Sequence, residues 1–144
     1  MLVDPPNKKF CGAFIKATPT GPPEAQSFNM KIERIKIKCF KVFKDIEIND
    51  LPNMCVFIGA NGSGKSTLFD SFSFLSDCLR SNVKIAVNRR GGFKEVISRG
   101  QKGDILFEIK FRDTEEGKQS PLITYSLKIG LKKNAPIVKS EVLQ

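Results

Sequence analysis

Residues 54–69 read MCVFIGANGSGKSTLF, and the fold turns on how that stretch is understood. The run 54–58 is apolar without alternation, the pattern of a strand covered on both faces. It stops at Gly59, a glycine-spaced loop follows, and Lys65, Ser66 and Thr67 open a segment of helical spacing. There Leu68, Phe69, Phe72, Leu75 and Leu79 form one apolar stripe, with Asp70, Ser71, Ser73 and Asp77 on the other side. This spacing predicts a helix from Lys65 to about Arg80, fading near Ser81 and Asn82, with its stripe on the strand 54–58.

The loop itself, Gly59, Ala60, Asn61, Gly62, Ser63, Gly64, Lys65 and Ser66, fits the phosphate-binding pattern G-x-x-x-x-G-K-[ST]. A triphosphate needs many donors converging on its oxygens. Consecutive backbone N–H groups supply them only where side chains do not block the approach. The helix that follows turns its positive dipole end toward the same oxygens. Lys65 brings a compact full charge to the β- and γ-phosphates. The Ser66 hydroxyl is a ligand for Mg²⁺, an ion that keeps most of its waters, and Thr67 is placed by position for the α-phosphate. The strand–loop–helix context marks a nucleotide-binding loop rather than a glycine-rich turn without a ligand.

Outward from the loop the chain reads as strands. In KIERIKIKCF, Ile35, Ile37 and Cys39 alternate with Lys36 and Lys38, and KDIEIND repeats the period of two with Ile46 and Ile48. Pro52 then punctuates the chain. After the helix, NRRGGFKEVISRGQKG is a glycine-rich basic connector. DILFEIKFRD sets Ile105, Phe107, Ile109 and Phe111 on one face. TEEGKQSP is a polar turn, and LITYSLKIGL and PIVKSEVL supply two more strands in antiparallel arrangement. Residues 1–29 hold five of the eight prolines and no sustained period, which reads as a flexible extension; the folded part is expected over 30–144.

The composition is that of a soluble domain: no apolar stretch nears the length needed to span a bilayer, and the start MLVDPPNKKF lacks a secretory apolar region. Of the net charge of +9, five charges fall within residues 59–103, a local excess that suits polyphosphate or nucleic acid, or a solvated basic surface. The four cysteines, Cys11, Cys39, Cys55 and Cys78, form no C-x-x-C pair, and Cys39 and Cys55 lie in apolar segments as small hydrophobes. With no histidine in the chain, a zinc site is not expected, and a reducing cytoplasmic setting follows.

The stretch KIERIKIKCFKVFKDIEINDLPNMCVFIGANGSGKSTLFDSFSFL resembles the N-terminal lobe of SMC/RecF-type ATPases, in particular the small bacterial AAA-type ATPases of that ABC-related group. Their pattern is a strand, an aromatic–basic–x–aromatic element, a short hairpin and G-x-N-G-S-G-K-S. Here the element is Phe40-Lys41-Val42-Phe43, and Asn61, Gly62 and Ser63 stand in the matching loop positions. The resemblance implies an α/β P-loop NTPase fold with a mixed sheet and an antiparallel β subdomain. It implies ATP and Mg²⁺ as ligands, pairing of two such heads, and work on DNA ends, chromosomes or phage defence. Lys41 matches a family position whose basic side chain approaches the phosphates; its other reading is a solvated edge-strand lysine. Arg89, Arg90 and Arg99 lie where such heads carry basic loops near nucleotide or DNA, with a solvated loop as the alternative.

Hydrolysis needs a carboxylate to orient the attacking water and a second acid on Mg²⁺. In the family both follow a run of four apolar residues, and this chain has no such run. Asp77 sits on the helix, and Asp104 precedes its apolar run instead of following it. RRGGF shares only a glycine pair with the family's signature, the switch histidine is absent, and Gln101 follows no strand. The expectation is therefore ATP binding without appreciable turnover by this chain alone, as a truncated or split ATPase whose remaining motifs lie elsewhere or as a degenerate relative, with self-association or a partner carrying those motifs. The competing class is a non-catalytic basic module for nucleic acid or protein that retains the loop. A GTPase is disfavoured, because Asn7 opens an N-K-x-x run with Phe10 where the guanine-reading Asp belongs, and a small-molecule kinase lacks an arginine-rich lid beyond residues 89–99.

Overall fold

The computed structural model describes residues 30–113 and 120–144. In β1 (Met30–Phe40), alternation buries Ile35 and Ile37 on one side and turns Lys36 and Lys38 outward. β1 pairs with β2 (Phe43–Asn49) across the Lys41–Val42 turn, Ile37 opposite Ile46 and Ile35 opposite Ile48. Its other edge receives β3 (Ile105–Asp113), again antiparallel, with Ile37 opposite Phe107. β4 (Ile123–Lys132) and β5 (Ala135–Leu143) complete a five-stranded sheet of order β2-β1-β3-β4-β5. The β4–β5 turn places Lys133 (φ 51°) and Asn134 (φ 63°) in the left-handed region, the combination that a tight hairpin turn requires.

Every described pairing is antiparallel, which corrects the expected mixed sheet. The N-terminal hairpin and the C-terminal strands form one sheet rather than a separate subdomain. One face is charged: Glu47 meets Arg34 at 2.9 Å and Lys36 at 3.0 Å, and Lys38 meets Asp45 at 2.8 Å. The hydrogen bond from Lys36, then those from Arg34 and Asn49, hold the Glu47 carboxyl down at about 2. The other face is apolar and carries the helices. On it Phe40, Phe74 and Phe107 form an aromatic cluster, with ring centroids 5.3 to 5.7 Å apart.

Phe74 belongs to α1 (Lys65–Arg80), whose limits are those the spacing predicts. Its buried face, however, is Leu68, Ser71, Phe74, Leu75 and Cys78, while Phe69 and Leu79 of the expected stripe are 61% and 59% exposed. The helix is rotated so that Phe74 reaches the cluster. Ser71 is tolerated inside because its hydroxyl donates to the Leu68 carbonyl. The connector after α1 is more ordered than its glycines suggest. It forms α2 (Val83–Asn88), capped by the Asn82 side chain accepting from the Ile85 N–H at 2.8 Å, and α3 (Phe93–Val96). The segment after α3 returns to the end of β1: the Lys41 N–H donates to the Val96 carbonyl, and the Ser98 N–H to that of Cys39.

Two further expectations are corrected. The run 54–58 forms no strand; Met54, Val56 and Ile58 are 84%, 72% and 91% exposed. A strand covered on both faces needs neighbours to hydrogen-bond its edges, and among the described residues none runs beside it. Phe57 alone turns back, edge-on to Phe69 with centroids 6.1 Å apart. Cys55 is likewise exposed instead of behaving as a small hydrophobe. The expected extension, 1–29, and most of the expected polar turn, 114–119, lie outside the described residues.

The cysteines provide a check. Cys78 is buried and its thiol is pushed up to about 12 by burial, whereas Cys55 is exposed. Maleimide at neutral pH is expected to modify Cys55 rapidly and Cys78 only in denaturant, as read by peptide mapping. Equal labelling of both in the native chain would contradict the position given to α1.

Candidate functional site

The phosphate-binding pattern lies where α1 begins. Gly62 (φ 85°) and Gly64 (φ 99°) take backbone conformations that side chains disfavour, and these reverse the chain into the helix. The Ser63 N–H closes a turn on the Ala60 carbonyl at 3.2 Å. Gly64 is also a site of close approach: a Cβ there would lie 2.7 Å from Phe43 Cε1 and 3.5 Å from Val42 Cγ2. The β1–β2 hairpin therefore buttresses the loop.

No side chain caps α1, its first turn holds no acid, and its first intrahelical bond runs from the Leu68 N–H to the Gly64 carbonyl at 2.9 Å. The amides of Lys65, Ser66 and Thr67 precede that ladder. Lys65 folds back over the loop, its Nζ donating to the Gly59 carbonyl at 2.6 Å, the Ala60 carbonyl at 2.8 Å and Ser63 Oγ at 3.3 Å. An ammonium, uncapped helix amides and an exposed Ser66 hydroxyl thus meet at one place, a donor set that fits phosphate oxygens and a hard cation carried with them. Among the described residues, no group of three or more acidic, cysteine or histidine side chains could hold a metal on its own.

Lys41 stands apart from this loop in its contacts. Its Nζ pairs with Asp70 Oδ2 of α1 at 2.6 Å. That oxygen is buried, so the pair is shielded from water on the Asp70 side. Arg90 is not a solvated loop residue. It is 12% exposed, with Nε 3.3 Å from Asp70 Oδ1, Nη1 2.7 Å from Asp77 Oδ2, and its guanidinium 5.1 Å from the centre of the Phe74 ring. Arg89 is exposed and 3.6 Å from Asp77, and Arg99 is exposed.

The acids set aside from the sequence are committed elsewhere. Arg90 lowers the Asp77 carboxyl below its ordinary range, chiefly by its hydrogen bond. Asp104 is lowered by Lys139, 2.6 Å away, and then by Lys128. Gln101 lines a different hollow of about 380 Å³ with Phe93, Lys102 and Lys139. The residue that sequence reasoning missed is Asp70, taken as filler on the polar side of the helix. Its partners lie on other elements, and nothing local announces them.

Comparison with known proteins adds the family. A family model described as "AAA ATPase domain" matches residues 30–141. "Structural maintenance of chromosomes protein 3" of Saccharomyces cerevisiae is 33% identical over 119 residues, covering 73% of this chain and 9% of that protein. "DNA replication and repair protein RecF" of Lactobacillus johnsonii is 30% identical over 94 residues, covering 63% of this chain and 25% of that protein. Its namesake in Heliobacterium modesticaldum is 34% identical over 47 residues, covering 33% of this chain and 13% of that protein. The chain thus spans a quarter or less of the length of these relatives. No described helix is long and apolar enough to cross a membrane. With the loop at the head of α1, and a family model matching from β1 into β5, the chain belongs to the AAA ATPase domain family, in its SMC/RecF-like branch.

Proposed function

We propose that this chain binds ATP with Mg²⁺ through residues 59–67, as the N-terminal, nucleotide-binding part of an SMC/RecF-like ATPase of P-loop NTPase fold. The observation that carries the reading is Lys65 Nζ, held 2.6 Å from Gly59 O and 2.8 Å from Ala60 O at the mouth of an uncapped helix. In this reading a triphosphate replaces those carbonyls as the partner of the ammonium. The amides of Lys65, Ser66 and Thr67 bind its oxygens. Ser66 Oγ is the residue that would hold Mg²⁺, which there would neutralise charge on the phosphates.

Turnover requires a carboxylate at the loop, and the two acids of α1, Asp70 and Asp77, are both engaged by arginine. The remaining motifs lie outside residues 1–144, in sequence beyond them or on a partner. The exposed Met54, Val56 and Ile58, next to the loop, support such a contact. Work on DNA is suggested by the name of the RecF relatives, and work on chromosomes by that of the SMC relative.

Titrating a fluorescent ATP analogue with Mg²⁺ is expected to give saturable binding. Lys65→Ala is expected to weaken it at least about a hundredfold, the loss of a full charge and its hydrogen bonds at one phosphate site. Binding retained by that variant would sink the reading. Salt-sensitive DNA binding indifferent to ATP would favour a non-catalytic nucleic-acid module instead.

A further inference from the structure

We infer that the hollow between α3 and the β4–β5 hairpin is a docking site for an acidic peptide segment of a partner protein, one that carries an apolar side chain among its carboxylates. The inference is independent of the nucleotide-binding reading, since none of the hollow's lining residues belongs to residues 59–67.

The hollow, of about 380 Å³, is shaped by fixed backbone on both sides. On one side the Ile97 N–H closes α3 on the Phe93 carbonyl at 2.9 Å, and the Ser98 N–H is tied to the Cys39 carbonyl at 3.0 Å. The Gln101 N–H then turns back to the Ser98 carbonyl, also at 3.0 Å. On the other side β5 carries a bulge. Lys128 lies opposite Ser140 and Ile129 opposite Val138, which leaves Lys139 as the extra residue. A bulge re-aims a side chain. Here it sends Lys139 across Gly130 to Asp104, where Nζ meets Oδ1 at 2.6 Å. Gly130 permits the crossing, because a Cβ there would collide with both Asp104 Oδ1 and Lys139 Cε.

The hollow is apolar in its wall and cationic around it. Phe93 and Ile97 pack half-buried against the core, while Leu131, which lines the same hollow, is left 42% exposed. Lys94, Lys102 and Lys139 also line it, and Asp104 is the one acid among the lining residues. Asp104 is shared between Lys139 and, at 3.5 Å, Lys128, so it cancels only part of the positive charge gathered there. Lys94 and Lys102 are exposed. Carboxylates complement such lysines, and an aliphatic or aromatic side chain covers Leu131. An acidic peptide offers both on one short segment. Nucleic acid fits less well. Its phosphates favour the forked guanidinium, whereas the lining cations are all lysines. Its bases stack on exposed rings, whereas Phe93 is half-buried.

The test is fluorescence anisotropy on the full chain, with fluorescein-labelled peptides that set one leucine or phenylalanine between glutamates. Saturable binding is expected. Exchanging the glutamates for glutamines, or the central residue for serine, is expected to weaken it at least about tenfold in each case. On the protein, the double variant Lys94→Glu/Lys102→Glu is expected to weaken it at least about tenfold, and Leu131→Ser about tenfold. These side chains are exposed, so wild-type melting curves are expected alongside. Lys44→Glu, on the edge strand at the other side of the sheet, is expected to change binding less than about twofold. A loss there as large as in the double variant would mean that the peptides answer only to overall charge, which overturns the inference. So would no binding, or binding indifferent to Leu131→Ser. A duplex DNA fragment that binds more tightly than every peptide, and is lost with Lys94 and Lys102, would assign the hollow to nucleic acid instead.

Discussion

Replacing Gly64 with alanine is expected to disable the loop and destabilise the domain together, lowering affinity for the ATP analogue at least about tenfold and stability by about 2–4 kcal/mol. Two costs combine. At φ 99° and ψ 1° the residue occupies a conformation that side chains disfavour, worth about 1–2 kcal/mol. The added methyl would also stand 2.7 Å from Phe43 Cε1 and 3.2 Å from Cζ, on a ring that is only 9% exposed and has little room to retreat. Relief requires the ring to move out of the core or the loop to move off the ring. The second course redirects the amides that open α1. A melting curve and a titration on the same preparation check both halves. Wild-type affinity in a variant with normal melting would show that the hairpin does not shape the loop.

The largest loss of stability is expected from Phe74→Ala, about 3–5 kcal/mol in urea or guanidinium unfolding, a large share of what a domain of this size possesses. Phe74 is fully buried between Phe40 and Phe107, and it lies under the Arg90 guanidinium. Truncation opens a cavity in the aromatic cluster and removes the ring on which a buried cation rests. Phe69→Ala serves as the counterpart. Phe69 is one turn earlier and more than half exposed, so less than about 1 kcal/mol is expected. If the two costs were reversed, α1 would present the other face to the sheet, and the ion-pair network around Asp70 would not exist as described.

Where the sequence reading succeeded and failed has a physical pattern. Ile35 with Ile37, and Ile105 with Phe107, declare their strands because one face of the sheet is buried and the other wet, so alternation is forced. The same rule misplaces Cys39. Its φ of 55° interrupts the alternation, and Phe40 rather than Cys39 turns into the core. Backbone reversals of this kind leave no periodic trace. The run 54–58 states a preference for burial but not who provides it, and the described residues of this chain do not. For α1 the extent was legible and the face was not. Phe69, Phe72 and Phe74 compete for the same surface, and the choice is made by Phe40 and Phe107, distant in sequence. The phosphate loop was readable because its chemistry constrains consecutive residues. The Lys41–Asp70–Arg90 arrangement was not, since its members come from a turn, a helix and a connector.

The pairing order of the sheet also bears on how the chain acquires its shape during synthesis. β1 needs only the adjoining hairpin on one edge, but its other edge waits for β3, with Met30 opposite Asp113. The whole helical region, phosphate loop included, lies within the span that this pairing closes. Closing so long a span costs entropy before any contact rewards it, which makes β1–β3 docking the slow event. Until β3 has left the ribosome, Phe74 has Phe40 but not Phe107, and α1 has an incomplete platform. A nascent chain halted before residue 105 therefore carries every residue of the phosphate-binding motif while lacking the surface that would hold its helix in place.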